Sequence, residues 1–180
     1  MRKTKTGRLA LAGILTALAM ALLMLTVTPI ATVGTVALAA LCGIPVVVES
    51  GRKAGIVHFL AVAILAWLIV PVTDGKLLYT LFFGWYTIAK ACLEQKNLPR
   101  TIEWGAKFLL LWATFGIGGG ITFFFLLDEV SLGDLSWWVI PVGVVASNLL
   151  FVVYDRCITG LVGMYMTRLH PTVSRLFHLN

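Results

Sequence analysis

Apolar positions dominate this chain in long blocks. Six segments, 9–28, 29–48, 54–73, 77–92, 108–127 and 135–154, hold a single charge between them, Lys90 near the end of the fourth. A helix rises about 1.5 Å per residue, so about 20 apolar residues cross a hydrocarbon layer of about 30 Å. Each segment therefore reads as a membrane helix. The second is the exception in regularity: Pro29, Gly34, Gly43 and Pro45 predict a kinked or partly irregular crossing packed inside the bundle. The helical pattern of the sixth continues to about residue 169. The connections at 49–53, 74–76, 94–107 and 128–134 are short, so neighbouring helices run antiparallel. The expected fold is an all-α integral membrane protein, with residues 1–180 forming one compact bundle of six transmembrane helices.

Composition agrees. Hydrophobic residues make up 59% of the 180 and charged residues 12%, whereas soluble domains carry about a quarter charged. The charges are sorted by sign along the chain. With the N-terminus placed in the cytoplasm, every one of the 14 Lys and Arg residues except Lys76 falls on the inner side. Asp74, Asp128, Glu129 and Asp134 fall outside. This bias predicts a multi-pass protein of the cell membrane with both termini cytoplasmic. It also assigns the net charge of +6 to topology and anionic lipid headgroups rather than to nucleic acid. Arg2, Lys3, Lys5 and Arg8 ahead of an apolar run imitate a signal peptide, but 20 apolar residues exceed the usual signal core, so a retained first helix is expected. Trp137 and Trp138 fall at the outer interface and Trp104 at the inner one, where an aromatic belt sits. Ligand stacking is the other reading of the outer pair.

Little in the chain points to chemistry. Cys42, Cys92 and Cys157 form no CxxC and lie at no metal-ligand spacing from a histidine, so they read as reduced packing residues, and neither a metal nor a cofactor is expected. Metalloprotease and serine-hydrolase motifs are missing, so no enzyme is expected. Gly116, Gly118, Gly119 and Gly120 lack the Lys-Ser or Lys-Thr of a phosphate-binding loop. They predict close helix contact or local unwinding, or else a ligand cavity against exposed backbone.

Ionisable and polar residues inside the membrane are the better signal, because a charge there is costly unless paired. Lys90, Lys107, Asp155 and Arg156 map to the inner half with Glu49 and Glu103. They read either as an ion-pair network locking helix ends or as a coupling surface or gate facing the cytoplasm. Asp155 with Lys90 or Lys107 is the expected pairing, since Arg156 points about 100° away on a helix. His58 is expected to be interfacial or hydrogen-bonded. Asn148 is expected to bond a neighbouring helix or a ligand. Trp67, Tyr79, Trp137 and Asn148 are the candidate walls of an outward cavity by depth alone. In the first helix Gly13, Ala17 and Ala21 share one face, and Ala12, Thr16 and Ala19 a less regular second one. Small residues every fourth position let another helix approach closely, within this bundle or from a separate protein.

Six short-looped helices, inner termini and this first helix together resemble the substrate-binding S-component of an energy-coupling factor (ECF) transporter. In that family an Ala-x-x-x-Ala pattern of the first helix docks on a transmembrane coupling protein, and Gly13, Ala17 and Ala21 occupy the matching positions. Gly51-Arg-Lys-Ala-Gly55 resembles the family's Gly-x-x-x-Gly-like turn between the second and third helices. The run from Leu81 to Lys90, LFFGWYTIAK, is similar to one in a group of small Firmicutes membrane proteins of S-component-like organisation. The resemblance implies a subunit that binds a small vitamin-like or other micronutrient solute. Two ABC-type ATPases, acting through the coupling protein, would energise it. The link at 29–34 is shorter than the loop that closes S-component sites. A membrane scaffold or assembly factor with a cytoplasmic partner surface is the alternative.

Overall fold

In the computed structural model, residues 2–28, 32–94, 99–125 and 138–176 are described. The chain is all-α. Helix α1 spans Arg2–Met24 and ends in a 3-10 turn, Leu25–Val27. Helix α2 is Thr32–Leu41 and α3 is Gly43–Ile69. Helices α4 (Thr73–Leu78) and α5 (Gly84–Glu94) join through a π-turn at Tyr79–Phe83. Helix α6 is Arg100–Phe125. Helices α7 (Val139–Met164) and α8 (His170–Leu176) join through a second π-turn, Tyr165–Leu169. Three stretches, Thr6–Val27, Gly43–Ile69 and Pro141–Val173, are long and apolar enough to cross a membrane, which points to a membrane location. Apolar side chains cover the outside of these helices, Leu9, Val57, Leu68, Leu109 and Leu149 among them. A soluble monomer rarely shows so much.

Helix α3 is not one straight rod. Gly51 has φ 82° and ψ 176°, a backbone region open almost only to glycine. Here the helix doubles back. A Cβ built on Gly43 would lie 3.6 Å from His58 Cδ2, and one built on Gly55 would lie 2.5 Å from Val47 Cγ2. Residues 47 and 55 would be about 12 Å apart in a straight helix. The arms 43–50 and 52–69 therefore pack antiparallel, with Gly55 providing the close approach. The second apolar segment is thus α2 plus the first arm, broken at Cys42. Pro45 explains the break, because its ring displaces the Leu41 carbonyl and supplies no N–H to it. Counted this way, the described residues form six helical segments.

Several boundaries differ from the sequence expectation. The connection expected at 49–53 shrinks to the single residue Gly51. That expected at 74–76 is helical, and the chain turns at 70–72 instead. Helix α6 begins at Arg100 rather than Phe108, so Lys107 lies inside a helix instead of at its start. It runs unbroken through Gly116–Gly120, which rules out unwinding there; Gly118 approaches Leu81, 3.2 Å from the Cβ position. The π-turn before His170 has a cause in Pro171, which leaves the Thr167 carbonyl without its i+4 donor. Asp128, Glu129, Asp134 and Trp137 lie outside the described residues.

Two cores hold the bundle. The first joins α1, α2, the second arm and Tyr79 through small side chains: Ala19, Ala39, Ala40, Ala63 and Ala66 pack with Leu23, Val36 and Val62. Small residues suit lipid, where helices associate by close packing rather than by escaping water. The second core is aromatic. Phe82, Tyr86, Phe151 and Tyr154 interlock between α5 and α7, with Phe108 of α6 at 5.5 Å from the Phe151 ring. Of the cysteines, Cys42 is buried, Cys92 is half-buried beside Arg52, and Cys157 is exposed, so Cys157 is not the packing residue expected.

Candidate functional site: a buried ion-pair cluster and two polar neighbours

Lys90 of α5, Lys107 of α6 and Asp155 of α7 meet in the bundle, each only 2% exposed. Lys90 Nζ contacts Asp155 Oδ1 and donates to the Asp155 carbonyl at 2.9 Å. Its third acceptor is Glu94 Oε1 at 3.1 Å, one turn along α5. Lys90 thus spends all three donors. Lys107 Nζ lies 2.6 Å from Glu103, 3.3 Å from Asp155 and 3.4 Å from Glu94. Tyr86 Oη donates to Asp155 Oδ1 at 2.8 Å. Asp155 is therefore the hub, accepting from three side chains on two other helices.

Charge settles what this arrangement can do. The buried set holds two ammonium groups and one carboxylate. Glu94 and Glu103, with side chains 42% and 21% exposed, supply the remaining negative charge from the rim. Every buried charge is paired, as membrane interiors require. No set of three side chains placed to hold a metal ion occurs among the described residues. The cluster fixes three helices relative to one another. Its three central residues are buried, and Glu94 and Glu103 form the exposed rim that a partner could reach.

Arg156 does not join. It points outward, and its guanidinium carbon lies 5.8 Å from the Trp104 ring centre, beside Lys107 at 5.3 Å. Adjacent helix positions differ by about 100°, so Asp155 and Arg156 cannot both face the cluster. Tyr86 and Glu94 were missed by sequence reasoning, yet Tyr86, Lys90 and Glu94 recur every four residues on one face of α5, and that spacing was a usable signal.

The other candidate residues part company. Trp67 is half-exposed, with its Nε1 donating to Thr80 Oγ1 at 3.2 Å and Lys76 over its ring at 5.1 Å. Tyr79 is in the small-residue core, against Phe59. Asn148 bonds its own helix, Nδ2 to the Val144 carbonyl at 2.7 Å, rather than a neighbour. None of these three lines either of two cavities among the described residues, and Trp137 lies outside those residues. A cavity of about 380 Å³ lies instead beside the ion pairs, with Ile44, Val47, Val48, Ile158 and Val162 as apolar walls and Thr87, Lys90 and Glu94 as its polar side. Gly13, Ala17 and Ala21 are all exposed, and nothing lies within 4 Å of a Cβ built on Gly13. The inward face of α1 is the one carrying Thr16, Ala19 and Leu23, so the regular stripe does not pack within this bundle.

Two further buried polar groups lie on α3. Glu49, next to the hairpin turn, accepts from Tyr165 Oη at 2.8 Å and lies 2.6 Å from His170 Nδ1. It ties the turn to the second π-turn, a long-range link with no trace in the sequence. His58 is 4% exposed and hydrogen-bonded, one of its two expected readings: its Nδ1 lies 2.9 Å from Thr16 Oγ1 of α1.

No protein-family model, curated protein or solved structure matches this chain.

Proposed function

We propose that the protein is the membrane subunit of a multi-component assembly, spanning the membrane six times with both termini cytoplasmic, and that it docks on a transmembrane partner through the Gly13, Ala17 and Ala21 face of α1. The supporting observation is the exposure of that face. A glycine and two alanines at four-residue intervals make a flat strip against which a second helix can lie closely, and among the described residues no helix covers it. The resemblance to ECF S-components names the partner as a coupling protein carrying two ABC-type ATPases. This chain has no phosphate-binding loop, so the energy to move a vitamin-like solute would come from them. Lipid covers the remaining apolar surface, and no nucleic acid or enzymatic role is proposed.

The second reading, a non-transporting scaffold, is favoured by one specific observation. Among the described residues, Trp67, Tyr79 and Asn148 each satisfy separate local contacts, and none of them lines either cavity. The scaffold reading uses a cytoplasmic partner surface at the Asp155 and Lys107 cluster and the 94–107 connection, whereas the uptake reading uses the α1 face. Affinity purification from the native membrane in mild detergent, with mass spectrometry, recovers two ATPases and a coupling protein if the subunit serves uptake, and a different protein if it is a scaffold. In the uptake reading Ala17→Leu abolishes recovery while the protein stays folded. Unchanged co-purification of the Leu variant refutes docking through this face.

A further inference from the structure

His58 carries an unmet bonding group at the centre of the bundle. Thr16 has one hydroxyl hydrogen, and it donates to the Ala12 carbonyl at 2.8 Å. The 2.9 Å contact between Thr16 Oγ1 and His58 Nδ1 therefore has Nδ1–H as its donor. That assigns the neutral imidazole's proton to Nδ1 and leaves Nε2 as a bare acceptor. Nε2 is buried and has no hydrogen-bond partner among the described residues. A buried acceptor left unpaired is costly, and most such groups in folded proteins are satisfied.

A second polar group and the edge of a cavity lie close to it. Gly43 faces the ring from the start of α3. A Cβ built there would lie 3.9 Å from His58 Nε2 and 3.6 Å from Thr87 Oγ1. Both polar atoms thus flank the Cβ position of residue 43, where glycine leaves the approach to them unblocked by a side chain. The Thr87 hydroxyl reaches its intrahelical acceptor, the Gly84 carbonyl, only at 3.4 Å, so it can turn to a better one. Thr87 and Ile44, the neighbour of Gly43, also line the 380 Å³ cavity, which therefore adjoins this position.

We propose that His58 Nε2 and Thr87 Oγ1 form a buried binding site for a hydroxyl donor, one water molecule or the hydroxyl end of a solute in the adjoining cavity. The guest donates to Nε2 and accepts from Thr87. Two polar partners and room for one small molecule are what a buried water needs. The completed chain runs from Thr87 of α5 through the guest and His58 of α3 to Thr16, and ends on the Ala12 carbonyl of α1. It would tie α1 to the polar side of the cavity.

The test is 15N NMR of histidine-labelled protein in detergent micelles, extensively dialysed. The three histidines are resolved by loss of the His58 signals in His58→Gln. The expected result is an Nδ1–H tautomer with a hydrogen-bonded Nε2 and a cross-peak to water. Gly43→Ala places a methyl at ordinary contact distance from both atoms, so it abolishes the cross-peak and moves Nε2 to its unbonded position while leaving Nδ1–H in place. Thr87→Val tests the second partner if Gly43→Ala does not fold, and it too removes the cross-peak. Titration with propanediol distinguishes the two guests. Replacement of the water cross-peak by one to the diol assigns the site to larger hydroxyls, and persistence of the water peak assigns it to water. A proton on Nε2, an unbonded Nε2 in the wild type, or identical Nε2 signals in wild type and both variants overturns the proposal.

Discussion

Replacing Asp155 by Asn keeps the shape of the hub and removes its charge. Wild-type Asp155 faces two buried ammonium groups, one in direct contact and one at 3.3 Å. A pair at that distance interacts by about 5 kcal/mol at an effective dielectric of about 20. Breaking a buried pair from one side costs about 3–5 kcal/mol. Each lysine keeps other acceptors: Lys90 the Asp155 carbonyl and Glu94, Lys107 Glu103 and Glu94. The expected loss therefore sits at the lower end, about 3 kcal/mol. Lys90→Met in the Asp155→Asn background removes the cation left poorly paired, and about 2 kcal/mol returns as coupling energy. The assay is unfolding by SDS titration in mild detergent, followed by tryptophan fluorescence, to which Trp104 beside Lys107 contributes a local signal. Glu94→Gln is the control, costing no more than about 1 kcal/mol because Glu94 is 42% exposed and water screens it. An Asp155→Asn cost below about 1 kcal/mol, or a double variant equal to the sum of the singles, refutes the view that the buried charges hold one another in place.

The hairpin makes further demands that can be measured the same way. Gly51→Ala forces an L side chain into backbone reserved for glycine and lowers stability by about 1–3 kcal/mol; a cost near zero would show that the arms do not turn at Gly51. Gly55→Ala puts a methyl 2.5 Å from Val47 Cγ2 and destabilises by about 1–3 kcal/mol. Val47→Ala in the same chain recovers most of that loss, and an additive double variant would refute the packing of arm on arm. Glu49→Gln weakens the link from the turn to Tyr165 and His170, so amide hydrogen exchange in 165–170 rises while that in α1 does not; equal rises in both would show a global rather than a local effect.

Three membrane-length helices and the meeting of Lys90, Lys107 and Asp155 were legible because each follows from a local rule: segment length and the cost of an unpaired buried charge. What was hidden depends on rotation about helix axes. Asp155 and Arg156 are neighbours in sequence, and only the packed bundle shows that the first faces in and the second faces Trp104. The same holds for α1, where a regular small-residue stripe and a less regular one compete for the inward face; Thr16 and Ala19 win because Thr16 meets His58 there. Depth alone grouped Trp67, Tyr79 and Asn148, yet depth says nothing about azimuth, and the three point to different neighbours. Glu49 with Tyr165 and His170 needs the hairpin and the second π-turn together, and neither leaves a periodic signal.

The division of the bundle into a small-residue half and an aromatic, ionic half has a physical consequence. Lipid tails give helices no reason to prefer one another over solvent. Around α1, α2 and the hairpin, alanines and glycines supply that reason through close approach. Helices α5, α6 and α7 instead meet through long side chains: rings from Phe82 to Tyr154, and lysines reaching to Asp155. Rings alone are tolerant of rotation, whereas a carboxylate accepting from Lys90, Lys107 and Tyr86 has few ways to be satisfied. The buried charges are costly, and their use here is to select one rotation of α5, α6 and α7 from the many that apolar packing alone would permit. With those helices fixed, the cavity wall of Thr87, Lys90 and Glu94 is fixed with them, and so is the distance from Thr87 to His58 on which a hydrogen-bonded connection to α1 depends.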